Sequence, residues 1–262
     1  MCRRMTDTDL ETQKVRAKTW FRALQEDICA RFEALEDAAD RPLYSGKPGR
    51  FELTDWTRGD GSEDLGGGRM GLMRGKVFEK VGVHFSEVYG TFSEAFAAQI
   101  PGADKSDGRF WASGISLIAH PRNPKVPAAH MNTRMLVTNQ SWFGGGDLNP
   151  LLDYQRDPAF EDSADFHAAM KAACDTHPGA DYAQIKETCD TYFHLPHRNE
   201  PRGTAQVRNV PPRPAPTIPR KRQPNARAAP EDAAATIIEC IARRRIGPIP
   251  PRGRRQKPWI VV

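Results

Sequence analysis

The segment from Ser116 to Arg134 constrains the fold more than any other part of the chain, because a short loop with three prolines joins two apolar runs there. The first run ends at His120, and the second begins at Met135, shortly after His130. Two apolar runs around a proline-rich loop are typical of neighbouring strands. Imidazole acts as a general acid or base and as a metal ligand near neutral pH, so we expect the chemistry of the protein at this loop.

The surrounding sequence indicates a mixed α and β protein. Apolar residues spaced three and four apart predict a helix over residues 9–37. Strands are predicted from Lys76 onward, and further helices over residues 162–177 and 181–192. Polar, glycine-rich sequence without a predicted strand continues to about Gly71, and the segment 142–150 is predicted to be a loop. Strands with flanking helices, without a regular βαβ order, predict an α+β fold.

The chain changes character after Gly203. Residues 204–262 hold 11 of the 22 prolines and carry a net charge of +10, whereas residues 1–203 carry −5. Proline at this density opposes both helix and sheet, which predicts a disordered, Pro/Arg-rich tail over 204–262 beside a domain over 1–203. Because the positive excess lies in the tail, the basic pI gives no argument that the domain binds nucleic acid.

Cysteine usage and hydropathy predict a cytoplasmic protein. The five cysteines are an odd number without C-x-x-C spacing, which favours reduced thiols over a disulfide framework or a zinc ribbon. No apolar run approaches the roughly 20 residues of a membrane span, so none is predicted. The first residues contain basic side chains but lack the apolar core of a secretory signal.

Four histidines are candidates for chemistry: His120, His130, His167 and His197. His167 lies on the apolar stripe of its predicted helix, so its side chain is expected to point inward. His197 lies in a loop rich in charged residues. Taken singly, each histidine has a simpler interpretation as a hydrogen-bonded structural residue. No tight ligand spacing such as H-E-x-x-H is present, so spacing alone does not predict a metal.

The remaining motifs also allow two interpretations. The segment GGGRMG (66–71) formally matches G-x-G-x-x-G, but no strand is predicted before it, so a dinucleotide site is not favoured. Arg134 could bind a carboxylate in bidentate fashion, and Asp147 could accept hydrogen bonds from N–H groups of a ligand. A surface or structural ion pair is the alternative for each of these two residues.

Four long segments recur in the same order in one enzyme family: GGGRMGLMRGKVFEKVGVHFSEVYG, GISLIAHPRNPKVPAAHMNTRM, WFGGGDLNP and CDTYFHLPHRNEPRG. Through them the chain resembles the oxygen-dependent coproporphyrinogen III oxidases. The resemblance implies an oxidoreductase that converts coproporphyrinogen III to protoporphyrinogen IX by oxidative decarboxylation, in haem and porphyrin biosynthesis. It further implies molecular oxygen as co-substrate and no organic cofactor.

The same resemblance assigns roles to individual residues. It implies a catalytic group in which His130 donates a proton, together with Asp147 and Arg134. It implies a substrate site lined by Ser116, Asn132, Thr133 and Arg134, and a divalent metal cation held by His120, His130, His167 and His197. The fold that it implies is a large antiparallel sheet flanked by helices on both faces, assembled as a homodimer.

The resemblance ends near Gly203, where the family continues with further strands and helices. The Pro/Arg-rich sequence that follows here is typical of translation in a shifted reading frame of a GC-rich gene. We therefore expect an incomplete domain, with impaired activity and a weakened dimer. Two alternatives are left open: a non-catalytic remnant that binds porphyrinogen or metal, and a protein whose basic tail binds an anionic polymer such as nucleic acid.

Overall fold

One antiparallel sheet organises the protein. The computed structural model describes residues 7–39, 45–97, 108–138, 141–149, 151–157, 159–175, 181–197, 199–201 and 205–209. The strands are β1 (Glu52–Thr57), β2 (Gly66–Met73), β3 (Phe78–Thr91), β4 (Arg109–Pro121), β5 (Ala128–Val137), β6 (Ser141–Asn149), the short pair β7 (His194–Leu195) and β8 (Glu200–Pro201), and β9 (Ala205–Asn209). The main sheet has the order β1-β2-β3-β4-β5-β6-β9, and each neighbouring pair is antiparallel.

The described helices are α1 (Asp7–Ala38), the single turn α2 (Glu94–Ala97), a 3₁₀ turn (Asp153–Arg156), α3 (Glu161–Asp175) and α4 (Tyr182–Tyr192). Helix α4 begins after Asp181, whose side chain accepts hydrogen bonds from the backbone N–H groups of Ala183 and Gln184. Within the described part of the chain, no helix combines the length and the apolar character that a membrane-spanning segment needs.

The apolar core lies between α1 and one face of the sheet. Phe21, Ile28 and Phe32 of α1 are fully buried, and the ring of Phe32 meets the ring of Phe78 edge to face, with centroids 5.1 Å apart. From α3, Phe166 joins the same buried cluster. Burying one such side chain contributes about 1.5–3 kcal/mol, so this contact is what holds α1 on the sheet. The strand residues of the cluster include Val81, Val83, Ile115, Leu117, Met131 and Met135.

The structure confirms the main expectations for the fold. It is an α+β protein built on a large antiparallel sheet, and helices occur where periodicity predicted them, at residues 7–38, 161–175 and 182–192. The two strands around the proline-rich loop are β4 and β5, which pair with each other. Helical cover on the second face of the sheet stays a prediction from the family resemblance.

The loop predicted over 142–150 is wrong, and the strands begin before the predicted start at Lys76, because both glycine-rich segments contain strands. The segment GGGRMG belongs to β2, between β1 and β3, and WFGGGDLN belongs to β6. A Cβ atom at Gly67 would lie 2.2 Å from the carbonyl oxygen of Trp56, and one at Gly68 would lie 2.1 Å from that of Phe85. Glycine here permits close approach of neighbouring backbones, which local turn statistics do not register.

The sheet also continues past the boundary predicted at Gly203. Strand β9 follows that boundary and pairs with β6 from Ala205 to Asn209. The predicted tail from Val210 onward, including its predicted disorder, lies outside the described residues.

A single buried carboxylate joins the end of α1 to the start of β3. Glu36 is fully buried and accepts four backbone hydrogen bonds, from Gly49 (3.1 Å), Lys76 (2.8 Å), Val77 (3.0 Å) and Phe78 (3.0 Å). Without Glu36, these backbone N–H groups would lose their hydrogen-bond acceptor. The turn between β2 and β3 is therefore built around this side chain.

We expect Glu36→Gln to lower the free energy of unfolding by about 2–4 kcal/mol, because the amide nitrogen that replaces one oxygen cannot accept hydrogen bonds. Urea denaturation followed by circular dichroism measures the change. Asp27→Asn is the matched control, since Asp27 is an exposed acid of the same helix whose ion pair with Arg31 contributes less than about 1 kcal/mol. Equal stability of the two variants would contradict the role of Glu36.

Candidate active site

Alternation along β4 and β5 gives the sheet two different faces. On β5, the side chains of Met131, Thr133 and Met135 are buried, whereas those of His130, Asn132, Arg134 and Leu136 are half-buried. On β4, Ser116, Ile118 and His120 alternate in the same way with buried apolar residues. Because successive side chains in a strand point to opposite faces, the half-buried set lies on the face away from α1. We call this the polar face.

The pairing register brings the candidate residues together on the polar face. Ser116 lies directly opposite Asn132, and Arg134 lies opposite Gly114. His130 lies opposite Asp147 of β6, so the acidic residue occupies a neighbouring position in the sheet. Directly opposed residues of an antiparallel pair project from the same face. One patch of β4 and β5 therefore holds Ser116, His120, His130, Asn132 and Arg134, and the backbone of Asp147 lies next to it on β6.

His120 and His130 form a close imidazole pair at the edge of this patch. Their Nε2 atoms are 3.4 Å apart, and the rings meet edge to face. Burial, and next the charge of His130, lower the pKa of His120. The pair therefore resists double protonation and favours an arrangement in which one Nε2 carries a proton and the other accepts it.

Asn149 selects the tautomer of His130. Its amide Nδ2 lies 2.7 Å from Nδ1 of His130. An amide nitrogen only donates, so Nδ1 must accept, and the proton of the neutral ring then resides on Nε2. That proton is directed toward His120 and the polar face, which is where a proton donor is useful.

The guanidinium of Arg134 and the amide of Asn132 lie two residues apart on β5 and project from the same face. Burial lowers the pKa of Arg134, because its guanidinium is partly withdrawn from water. The Oδ1 atom of Asn132 is buried and accepts no hydrogen bond from any residue that the structure describes. A partly desolvated cation beside an acceptor suits a ligand that carries both a carboxylate and an N–H group.

Two other predicted site residues, Thr133 and Asp147, are not shown to project from the polar face. Thr133 projects from the opposite face, where only 7% of it is exposed, so the structure does not bring it to the other predicted substrate-site residues. For Asp147 the backbone position next to His130 is described, and its predicted catalytic role stays a prediction.

The four predicted metal ligands are not gathered into one site. His120 and His130 form the pair described above, whereas His167 of α3 is hydrogen-bonded through Nδ1 to the hydroxyl of Tyr182 on α4. His197 is exposed in the turn between β7 and β8. Among the described residues, no group of three or more histidine, cysteine or acidic side chains is placed to hold a metal ion. The four-histidine metal site therefore stays a prediction of the family resemblance.

Sequence reasoning missed residues that the register brings to the polar face. Asn149 was assigned to a loop, and the position of His84 opposite Ser116 was not recognised. Burial, and then the charge of Lys80, lower the pKa of His84. The alternation in VGVHFSEV (81–88) was the available signal for His84, because it places this residue among outward-facing positions of β3.

A cavity of about 260 Å³ lies on the other face of the sheet, beside α1. Its charged lining residues are largely paired: Lys18 with Glu87 at 2.6 Å, and Arg69 with Glu26 at 2.8 Å. The cavity is separated by the sheet from the histidine pair, so it is not part of the candidate site.

Comparison with known proteins identifies the family of the chain. Residues 16–207 match the family model for coproporphyrinogen III oxidase. The chain is 48% identical over 190 residues to an oxygen-dependent coproporphyrinogen-III oxidase of Rickettsia bellii, an alignment that covers 72% of this chain and 64% of that protein. It is 44% identical over 202 residues to the protein of the same name from Rickettsia africae, covering 76% of this chain and 67% of that protein. The chain thus spans just under two thirds of the length of the first of these relatives.

We expect His130 to be in the Nε2–H tautomer in the wild-type chain, and Asn149→Asp to move the proton to Nδ1, because a carboxylate accepts where the amide donates. Long-range ¹H–¹⁵N correlation spectra of ¹⁵N-histidine-labelled protein distinguish the two tautomers. The signals of His84, on β3 of the same face, serve as the internal control. A wild-type His130 that is already protonated at Nδ1 would contradict the assignment.

Proposed function

Because the chain belongs to the coproporphyrinogen III oxidase family, we propose that it catalyses the oxygen-dependent oxidative decarboxylation of coproporphyrinogen III to protoporphyrinogen IX. The proposal assigns the chain to haem and porphyrin biosynthesis, with molecular oxygen as co-substrate. Following the family resemblance, it includes a cytoplasmic homodimer. The relatives named as oxygen-dependent coproporphyrinogen-III oxidases are longer proteins, and the proposal applies the activity in their names to this chain.

One observation carries the proposal: the polar face combines an anion-binding group, an acceptor and a proton donor within two neighbouring strands. Arg134 and Asn132 lie on β5, Ser116 lies opposite on β4, and the His120–His130 pair adjoins them. A tetrapyrrole with propionate side chains and pyrrole N–H groups offers the complementary set. Family membership and this chemistry point to the same class of substrate.

In the proposed reaction, each propionate loses carbon dioxide from its carboxylate and hydrogen from the carbon attached to the ring, which leaves a vinyl group. One molecule of oxygen takes up the two electrons, the proton from that carbon and a second proton supplied by a proton donor of the protein, and becomes hydrogen peroxide. Two propionates consume two molecules of oxygen. Arg134 would hold a propionate and Asn132 would accept from a pyrrole N–H. His130 would donate its Nε2 proton to the reacting centre, and a proton from solvent, passed on through Nε2 of His120, would replace it.

The roles of Arg134, Asn132, His130 and His120 in this reaction do not require a bound metal ion. A divalent cation stays a prediction of the resemblance, because the histidine pair supplies two ligands and the described residues add no third beside it. The chemistry that a bound cation would supply is the polarisation of an oxygen atom near the pair. The remaining steps of binding and proton transfer are assigned to this chain's own side chains.

We expect the purified 262-residue chain to convert coproporphyrinogen III under air, and His130→Gln to lower kcat about 10²–10⁴-fold, because the amide cannot act as an acid. Arg134→Gln should instead mainly raise KM, by about tenfold or more, through loss of a charge-assisted contact. Product is followed by porphyrin fluorescence after oxidation.

His194→Gln is the matched control, because His194 is an exposed histidine on β7 and lies outside the proposed site. It should keep wild-type kinetics. Soluble, folded wild-type chain that forms no product would contradict the proposed activity. If such a chain still bound the substrate, the alternative of a non-catalytic porphyrinogen-binding protein would replace it.

A further inference from the structure

The register of the sheet aligns Trp56, Gly68, Ser86, Gly114 and Arg134 in one row across β1 to β5. Directly paired residues project from the same face, so this row belongs to the polar face. Strands are spaced by about 4.8 Å, which separates the two ends of the row by about 19 Å along the sheet. Between an aromatic residue at one end and a guanidinium at the other, the row contains only small residues.

The aromatic end of the row is exposed and continues in a second apolar side chain. Trp56 is 38% exposed, and Met70, which occupies the next position of β2 on the same face, is 41% exposed. The indole lies over the sheet, because its Cε2 atom is 3.0 Å from the place that a Cβ atom at Gly68 would occupy. The two neighbouring exposed side chains form a small apolar patch, one part of it aromatic, that a ligand on this face can cover.

The other end of the row is polar and continuous with the candidate active site. Arg134 is flanked on β5 by Asn132, whose buried Oδ1 has no donor among the described residues. Asn132 in turn lies opposite Ser116, which lies opposite His84. A ligand that places a carboxylate at Arg134 and an N–H group at Asn132 would extend across the small residues toward Trp56.

We propose that Trp56 contacts the substrate, with Met70 beside it, and that the small-residue row is the surface on which the substrate's ring system lies. The inference rests on the proposed function and adds a residue about four strands away from the histidine chemistry. The occupant is a propionate-bearing tetrapyrrole, because an extended ring system with apolar rings and peripheral carboxylates matches both ends of the row. The indole supplies an aromatic and dispersion contact at the end opposite the cation.

The test is equilibrium binding of coproporphyrin III, the stable oxidised form of the proposed substrate, to the full chain and its variants by fluorescence titration. We expect Trp56→Ala to raise Kd about five- to tenfold and Trp56→Phe to recover most of the affinity. Leu53→Ala is the matched control, because Leu53 is an exposed apolar residue (49%) of the same strand on the opposite face, and its Kd should stay within about twofold.

Several outcomes would overturn the inference. An unchanged Kd for Trp56→Ala, or no binding of coproporphyrin III by the wild-type chain, would do so. An unchanged Kd accompanied by a lower sedimentation mass would show that the Trp56 surface joins copies of the chain instead. If Trp56→Ala fails to fold, Trp56→Leu, which keeps an apolar side chain without an aromatic ring, should show the same loss of affinity.

This experiment separates the inference from the proposed function. A wild-type chain that binds coproporphyrin III through Trp56 without turning over coproporphyrinogen III would keep the inference and reject the activity. A chain that turns over substrate with the same Kd and KM after Trp56→Ala would keep the activity and reject the inference.

Discussion

The packing of α1 against the turn between β2 and β3 depends on the hydrogen bonds of the buried Glu36 carboxylate. Its two oxygens accept backbone hydrogen bonds from the segments around Gly49 and Lys76, which joins the end of α1 to the turn between β2 and β3. That turn is in contact with the loop between β4 and β5, because Arg122 donates its backbone N–H to the carbonyl of Val77 and its Nε–H to the carbonyl of Gly75. A Cβ atom at Gly75 would lie 2.2 Å from a Glu36 oxygen, so the turn closes tightly on the carboxylate. A buried anion fully used by backbone donors thus supports the position of the loop that follows His120.

The same sheet performs two tasks because alternate residues of one strand have different environments. On β4 and β5 one set of side chains packs against α1 and stabilises the fold, while the set between them forms the polar face. The candidate chemistry therefore lies on regular strands and not on a flexible loop, which holds the side chains in defined directions. Replacing a residue of the buried set disturbs the site indirectly, through the backbone that both sets share.

Within the polar face the residues divide the work by position. In the proposed function, the His120–His130 pair, with Asn149 next to Nδ1 of His130, moves a proton, and Arg134 with Asn132 holds the ligand. His167 is occupied with Tyr182 between α3 and α4, where burial raises the pKa of the tyrosine to about 12 and keeps its hydroxyl protonated at neutral pH. Histidines that look equivalent in the sequence thus serve different purposes in the folded chain.

The sequence by itself determined the α+β class, the three long helices and the strand–loop–strand unit around His120 and His130, because hydrophobic periodicity and proline positions act over a few residues. It also contained the family blocks that named Ser116, Asn132 and Arg134. Only the tertiary structure decided that GGGRMG and WFGGGDLN are strands, since the need for glycine there comes from the close approach of neighbouring backbones. Only the tertiary structure gave His130 its partner Asn149 and aligned Trp56 with Arg134. These are consequences of pairing register, which joins residues far apart in the chain and leaves no local pattern to read.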